Sequence, residues 1–106
     1  MQASINAKPT FVATVEIRRP GEDGPMKFRG VFKHRTKDQF AAFAQASQTD
    51  PQSDLDAVLD VLVGWEDMAE DFSRDHVAAL LQNFHYAADD IARTYVRELG
   101  PARLGN

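Results

Sequence analysis

Residues 55–72 read LDAVLDVLVGWEDMAEDF. Leu55, Val58, Leu59 and Leu62 recur at the three- and four-residue spacing of a helix face, and Val61 and Val63 widen that face toward burial on all sides. The spacing predicts the central helix of the fold. Ser53 stands before it with Asp56 three residues on, a helix-start pattern in which the hydroxyl accepts an orphan backbone N–H and the acid sits at the positive helix end. Gly64 is the predicted stop, because glycine enters the left-handed C′ conformation without penalty. Trp65, the only tryptophan, comes next, and then four acids in six residues: Glu66, Asp67, Glu70 and Asp71.

With 106 residues the chain is expected to form a single domain over 1–106, large enough for a modest core. Its 43% hydrophobic and 26% charged content is that of a globular protein. No apolar run approaches the roughly 20 residues of a membrane span, and MQASINAKPT lacks the apolar stretch of a secretion signal, so no membrane partner and a cytoplasmic address are expected. The absence of cysteine removes disulfides and thiolate chemistry. The net charge of −4 conceals an asymmetry. Residues 1–46 carry eight Lys or Arg against four Asp or Glu, a net +4, and residues 47–106 carry four against twelve, a net −8. Either the basic half faces the acidic half within one fold, or the basic end of one subunit meets the acidic end of the next in a homo-oligomer.

Residues 1–9 show no periodicity and read as a loose N-terminus. From Thr10 to Arg18 the sequence alternates, with Phe11, Ala13, Val15 and Ile17 on one side. RPGEDGP at 19–25 is dense in turn formers, and Met26, Phe28, Gly30 and Phe32 then alternate with Lys27, Arg29, Val31 and Lys33. The two runs predict a β-hairpin over 10–33 with one apolar and one largely basic face. Thr36 and Gln39 form a capping-box pattern opening a short helix whose buried side is Phe40, Phe43 and Ala44; Pro51 keeps it from running on. Phe72, Ser73 and Val77 match a hydrophobic staple beside an N-cap, opening a helix with Leu80, Leu81 and Phe84 on its buried stripe. Ile91, Ala92, Tyr95, Val96 and Leu99 define a last helix face, stopped by Gly100 and Pro101. The expected fold is therefore α+β: an N-terminal two-stranded antiparallel β-hairpin packed on a small bundle of about four α-helices over 36–99, with a tail at 100–106.

Residues for chemistry do not converge. His34, His76 and His85 lack the spacing of a shared metal site, and no HExxH pattern occurs. WEDMAED lacks the rhythm of a calcium loop, and no glycine-rich phosphate loop or nucleophile elbow is present. No catalytic residue, metal or cofactor is expected, and the chain is read as not an enzyme. The basic set Arg18, Lys27, Arg29, Lys33, Arg35 and Lys37 raises the question of nucleic acid. Phe11, Phe28 and Phe32 alternate onto the opposite face, however, and cannot stack bases beside those cations, so no nucleic-acid partner is expected. A small core cannot cover every large apolar side chain. Phe40, Phe43, Trp65 and Met68 are the candidate partner-binding residues, expected to line a groove between helices.

The order of these motifs resembles a known family. INAKPTFVATVEI, then FKHRTKDQFAAF, then VLVGWED, then FSRDHVAALLQNF and a final helix through IARTYVREL resemble the tail assembly chaperones of long-tailed bacteriophages and prophages. The likeness covers residues 5 to about 104, and its most specific piece is V-x-G-W followed by an aromatic-Ser/Thr step into a leucine-rich helix. The resemblance implies a non-enzymatic chaperone made in the host bacterial cytoplasm and absent from the mature virion. It also implies as partners the tape measure protein and the major tail protein, whose polymerisation into the tail tube it assists. Two other classes remain open on the residues alone: a structural tail component such as a terminator or connector, and a small acidic regulator that binds a host protein.

Overall fold

The computed structural model describes residues 2–100. Strands β1 (Thr10–Ile17) and β2 (Met26–Lys33) pair antiparallel along their full length, from Thr10↔Lys33 to Ile17↔Met26. The alternation read from the sequence is the alternation observed. Ala13, Val15, Ile17, Phe28 and Phe32 are buried on one face, while Thr14, Glu16, Lys27, Arg29 and Lys33 stand on the other. Between the strands, Gly21 (φ 78°) and Gly24 (φ 146°) take conformations that a Cβ would strain, and Arg19 Nε donates to the Gly24 carbonyl at 3.0 Å.

Helix α1 (Lys37–Thr49) begins with the full capping box: the Gln39 N–H donates to Thr36 Oγ1 at 3.1 Å and the Thr36 N–H to Gln39 Oε1 at 2.9 Å. The helix predicted as central is much shorter than its periodicity suggests. Ser53 does cap it, accepting from the Asp56 N–H at 3.2 Å, but α2 (Asp54–Leu59) ends after six residues. The chain turns through Asp60 and Val61 and continues as β3 (Leu62–Glu66), antiparallel to β2 on the edge away from β1. The sheet therefore has three strands in the order β1-β2-β3, where a two-stranded hairpin was expected. Gly64 is not a helix stop. It sits within β3 opposite Val31, where an added Cβ would find Val31 Cβ at 3.5 Å, an ordinary contact.

The pairing of β3 contains a β-bulge. Trp65 pairs with Gly30 and Gly64 with Val31, but Phe32 pairs with Leu62, which leaves Val63 over. Leu62 and Trp65 consequently both lie against the inner face although they are three residues apart, the spacing of a helix. Strand wins over helix here for two reasons. β-Branched Val61 and Val63 suit an extended chain, and the open edge of β2 offers hydrogen bonds, including Lys33 N–H to the Val61 carbonyl at 2.9 Å.

Helix α3 (Arg74–Asn83) is capped by Ser73, whose hydroxyl accepts the His76 N–H at 3.1 Å, with Phe72 and Val77 at the staple positions. Helix α4 (Ala87–Leu99) buries Ala87, Asp90, Ile91, Thr94 and Tyr95, a stripe alternating steps of three and one, and lies across the inner face of β1. It ends at Gly100 in an extended conformation (φ −67°) and not in the left-handed one expected of a terminal glycine. A Cβ there would come within 2.5 Å of the Val96 carbonyl oxygen. Pro101 and the rest of the expected tail lie outside the described residues.

Four helices thus sit on one face of an antiparallel sheet, an α+β arrangement of two layers. Val15, Ile17, Phe28, Phe32 and Leu62 of the sheet meet Val77, Ile91 and Tyr95 of the helices in the core. Each such side chain contributes about 1.5–3 kcal/mol of transfer free energy. The other sheet face carries Val12, Val31 and Val63 among its charged side chains, and among the described residues no helix covers it.

Candidate partner-binding clefts

Tyr95 organises one end of the molecule. Its ring is buried against Phe11, Phe32, Phe40 and Phe43, with centroids 5.6–6.2 Å away. Its hydroxyl donates to the Lys33 carbonyl at 2.8 Å and accepts from Arg35 Nη1 at 3.0 Å. Arg35 in turn pairs with Asp60 at 3.2 Å and lays its guanidinium 4.1 Å above the Phe43 ring. Helix α1 has no buried residue of its own. Phe40 and Phe43, tilted against each other, with Phe40 tilted and Phe43 edge-on to Tyr95, and the guanidinium of Arg35 over Phe43 are what tie it to the body.

Between α1, α2 and α4 this leaves a cleft of about 430 Å³. Its walls are small because the facing positions are alanines: Ala44 on α1, Ala57 on α2, and Ala88 and Ala92 one turn apart on α4. Phe40, Phe43, Val58, Val61, Tyr95 and Val96 supply the rest of the apolar lining, and Val96 is 52% exposed. Side chains this short leave the helices unable to close on one another.

Trp65 and Met68 lie elsewhere. They line a second cleft of about 600 Å³ with Met26, Ala79, Leu80 and Phe84, beside the charged or polar Lys27, Asp67, Glu70 and His76. Trp65 meets Phe28 and Phe72 edge-on at 5.9 and 5.1 Å, and its Nε1 donates to the Glu70 carbonyl at 2.8 Å. The two pairs of candidate residues therefore do not share a groove. Phe28 anchors the Trp65 end and Phe32 the Phe40–Phe43 end, four residues apart along β2, or about 13 Å. The acidic stretch at 66–71 is pinned at two points: the Asp67 carboxylate (backbone φ 53°) accepts the Arg29 N–H at 3.0 Å, and His76 Nδ1 donates to the Asp71 carbonyl at 2.6 Å.

The supposed basic face loses two members. Arg35 turns inward to Asp60, and Arg18 crosses to Asp90 in the first turn of α4. Asp90 accepts from Arg18 Nη2 at 2.9 Å, from Nε, and from the Arg18 backbone N–H at 3.0 Å, while the guanidinium covers the Tyr86 ring at 4.3 Å. Burial pushes the Asp90 carboxyl up. The hydrogen bonds and charge of Arg18, helped by the field of Arg93, outweigh it and hold the carboxyl below its ordinary value. Arg18–Asp90, Arg35–Asp60 and Arg29–Glu66 each join the basic half of the chain to the acidic half, so part of the charge asymmetry is used within the fold.

Among the described residues, no three His, Asp or Glu side chains gather as a metal site, and no helix is long and apolar enough to cross a membrane. The sequence model of the phage tail assembly chaperone family matches residues 1–106, and the protein belongs to that family. No curated protein and no solved structure matches it significantly.

The α4 wall of the first cleft was visible in the sequence only as part of a helix face. Its signal is the row Ala88, Ala92 and Val96, four residues apart and just outside the buried stripe. A ridge of small residues beside a core stripe marks a place where another helix can approach.

Proposed function

We propose that this chain is a non-enzymatic chaperone of phage tail assembly. In this reading it holds apolar stripes of the tape measure protein in the cleft between α1, α2 and α4 while major tail protein polymerises around that client. The observation that carries the reading is the cleft itself, open and lined by Phe40, Phe43, Ala92 and Val96. Family membership supports the assembly role. The work is done in the host bacterial cytoplasm, and the chaperone leaves before the virion is finished. A homo-oligomer would present the cleft repeatedly along a long helical client and so gain avidity from weak contacts. Trp65 and Met68 offer a second, separate contact.

The test is co-expression with the tape measure protein. Wild-type chain should raise the client's soluble fraction. Val96→Glu, at an exposed position, should abolish that effect without altering far-UV circular dichroism. An unchanged soluble fraction with Val96→Glu would remove the first cleft from the reading. Because Trp65 is braced by two rings and a hydrogen bond, the second cleft is better probed by Met68→Ser with Ala79→Asp, which spare that packing.

A further inference from the structure

The polar chemistry of the first cleft limits what can occupy it. No strand edge borders it, so an extended peptide would find no ladder for its backbone there. The hydroxyl groups it contains are engaged: Tyr95 with Lys33 and Arg35, and Ser47 with the Phe43 carbonyl at 2.9 Å. Gln48 and Gln52 also line the cleft, but two side-chain amides cannot replace the ladder that an extended backbone needs, and the occupant that fits is one whose backbone is already satisfied, a helix. The charge around the cleft has one sign. Asp54 on α2 and Asp89 on α4 line it, no Lys or Arg does, and neither carboxylate joins an ion pair among the described residues. Arg35 is paired with Asp60 and Arg18 with Asp90, and Asp89 reaches Arg18 only through its field.

We infer that the segment this cleft accepts is an amphipathic helix of a partner protein whose apolar stripe is flanked by Lys or Arg. The apolar stripe fills the alanine-walled space, and the flanking cations meet Asp54 and Asp89. This rests on the proposal that the cleft is the client site, and specifies the chemistry of the client.

The probes are three synthetic helical peptides with the same leucine stripe, flanked by Lys, Gln or Glu, titrated against the full chain by fluorescence anisotropy. The Lys-flanked peptide should bind roughly 5-fold more tightly than the Gln-flanked one at low salt, and the Glu-flanked one most weakly. The gap should close in high salt. Asp54→Asn with Asp89→Asn should erase the preference while the Gln-flanked peptide keeps its affinity. Equal binding of all three peptides, or preference for Glu, would overturn the inference. Ala92→Trp separates the two levels: if it blocks every peptide, the cleft is the site whatever the flank preference. If binding survives Ala92→Trp, or no peptide binds, the cleft reading fails as well. Oligomers of the unliganded chain that Ala92→Trp converts to monomer would identify the occupant as a second copy and overturn the inference.

Discussion

Arg18 and Asp90 lie 72 positions apart in the chain, yet one carboxylate accepts both the guanidinium and the backbone N–H of that one arginine. The contact clamps the end of β1 to the first turn of α4, where a negative charge also suits the helix dipole. Asp90→Ala should lower the melting temperature by about 5 °C or more, read by circular dichroism.

The same pair sets a pH dependence. Asp90 titrates lower in the folded chain than in the unfolded one, where an aspartate titrates near about 3.9. Its contribution is therefore complete above the unfolded value and is lost as pH falls through the folded value. The stability difference between wild type and Asp90→Asn should be constant near neutrality and shrink below about pH 4. A difference that grows on acidification would contradict the assignment.

Tyr95→Phe keeps the ring and removes the hydroxyl that joins Lys33 to Arg35. We expect a loss of about 1–2 kcal/mol in urea denaturation with no change in slope.

Gly64 distinguishes a strand from a helix end. In a left-handed cap any β-branched replacement is strained, whereas within β3 its Cβ would make an ordinary contact with Val31. Gly64→Thr should be neutral or stabilising by up to about 1 kcal/mol. A large loss would restore the helical reading of this segment.

Phe43→Ala should release α1 alone. The ring holds that helix to Tyr95 and Arg35, and α1 has no fully buried residue to keep it in place, only the partly buried Phe40 beside it. Amide exchange in α1 should quicken about 10-fold while α4 and the sheet keep their protection.

Where local chemistry decides structure, the sequence was legible. The β1 and β2 alternation and the Thr36, Ser53 and Ser73 caps stand where residue types placed them, whereas of the face expected on α4 only Ile91 and Tyr95 are buried: the stripe is rotated to Ala87, Asp90 and Thr94, and Ala92 and Val96 are left exposed. The error at 60–66 has a nonlocal cause. Leu62 continues the spacing of Leu55, Val58 and Leu59, so a window along the chain registers it as helical, whereas the strand that claims it, β2, lies distant in sequence. The candidate residues fared similarly. Phe40, Phe43, Trp65 and Met68 are all partly buried, as amphipathic positions would be. Their division between two clefts depends on Phe28 and Phe32 standing at different heights on β2, which nothing near those four residues encodes.

The chain leaves the sheet after Lys33 and returns beside the same strand at Leu62, so α1 and α2 together form an overgrown hairpin connection. Closing such a loop costs free energy that rises only logarithmically with its length. Changes in the length of this connection therefore cost the strand pairing little, so long as Val58 and Val61 keep their places in the core. Insertions between Lys33 and Leu62 are thus tolerated by geometry where insertions inside the β1–β2 turn, closed by Gly21 and Gly24, are not.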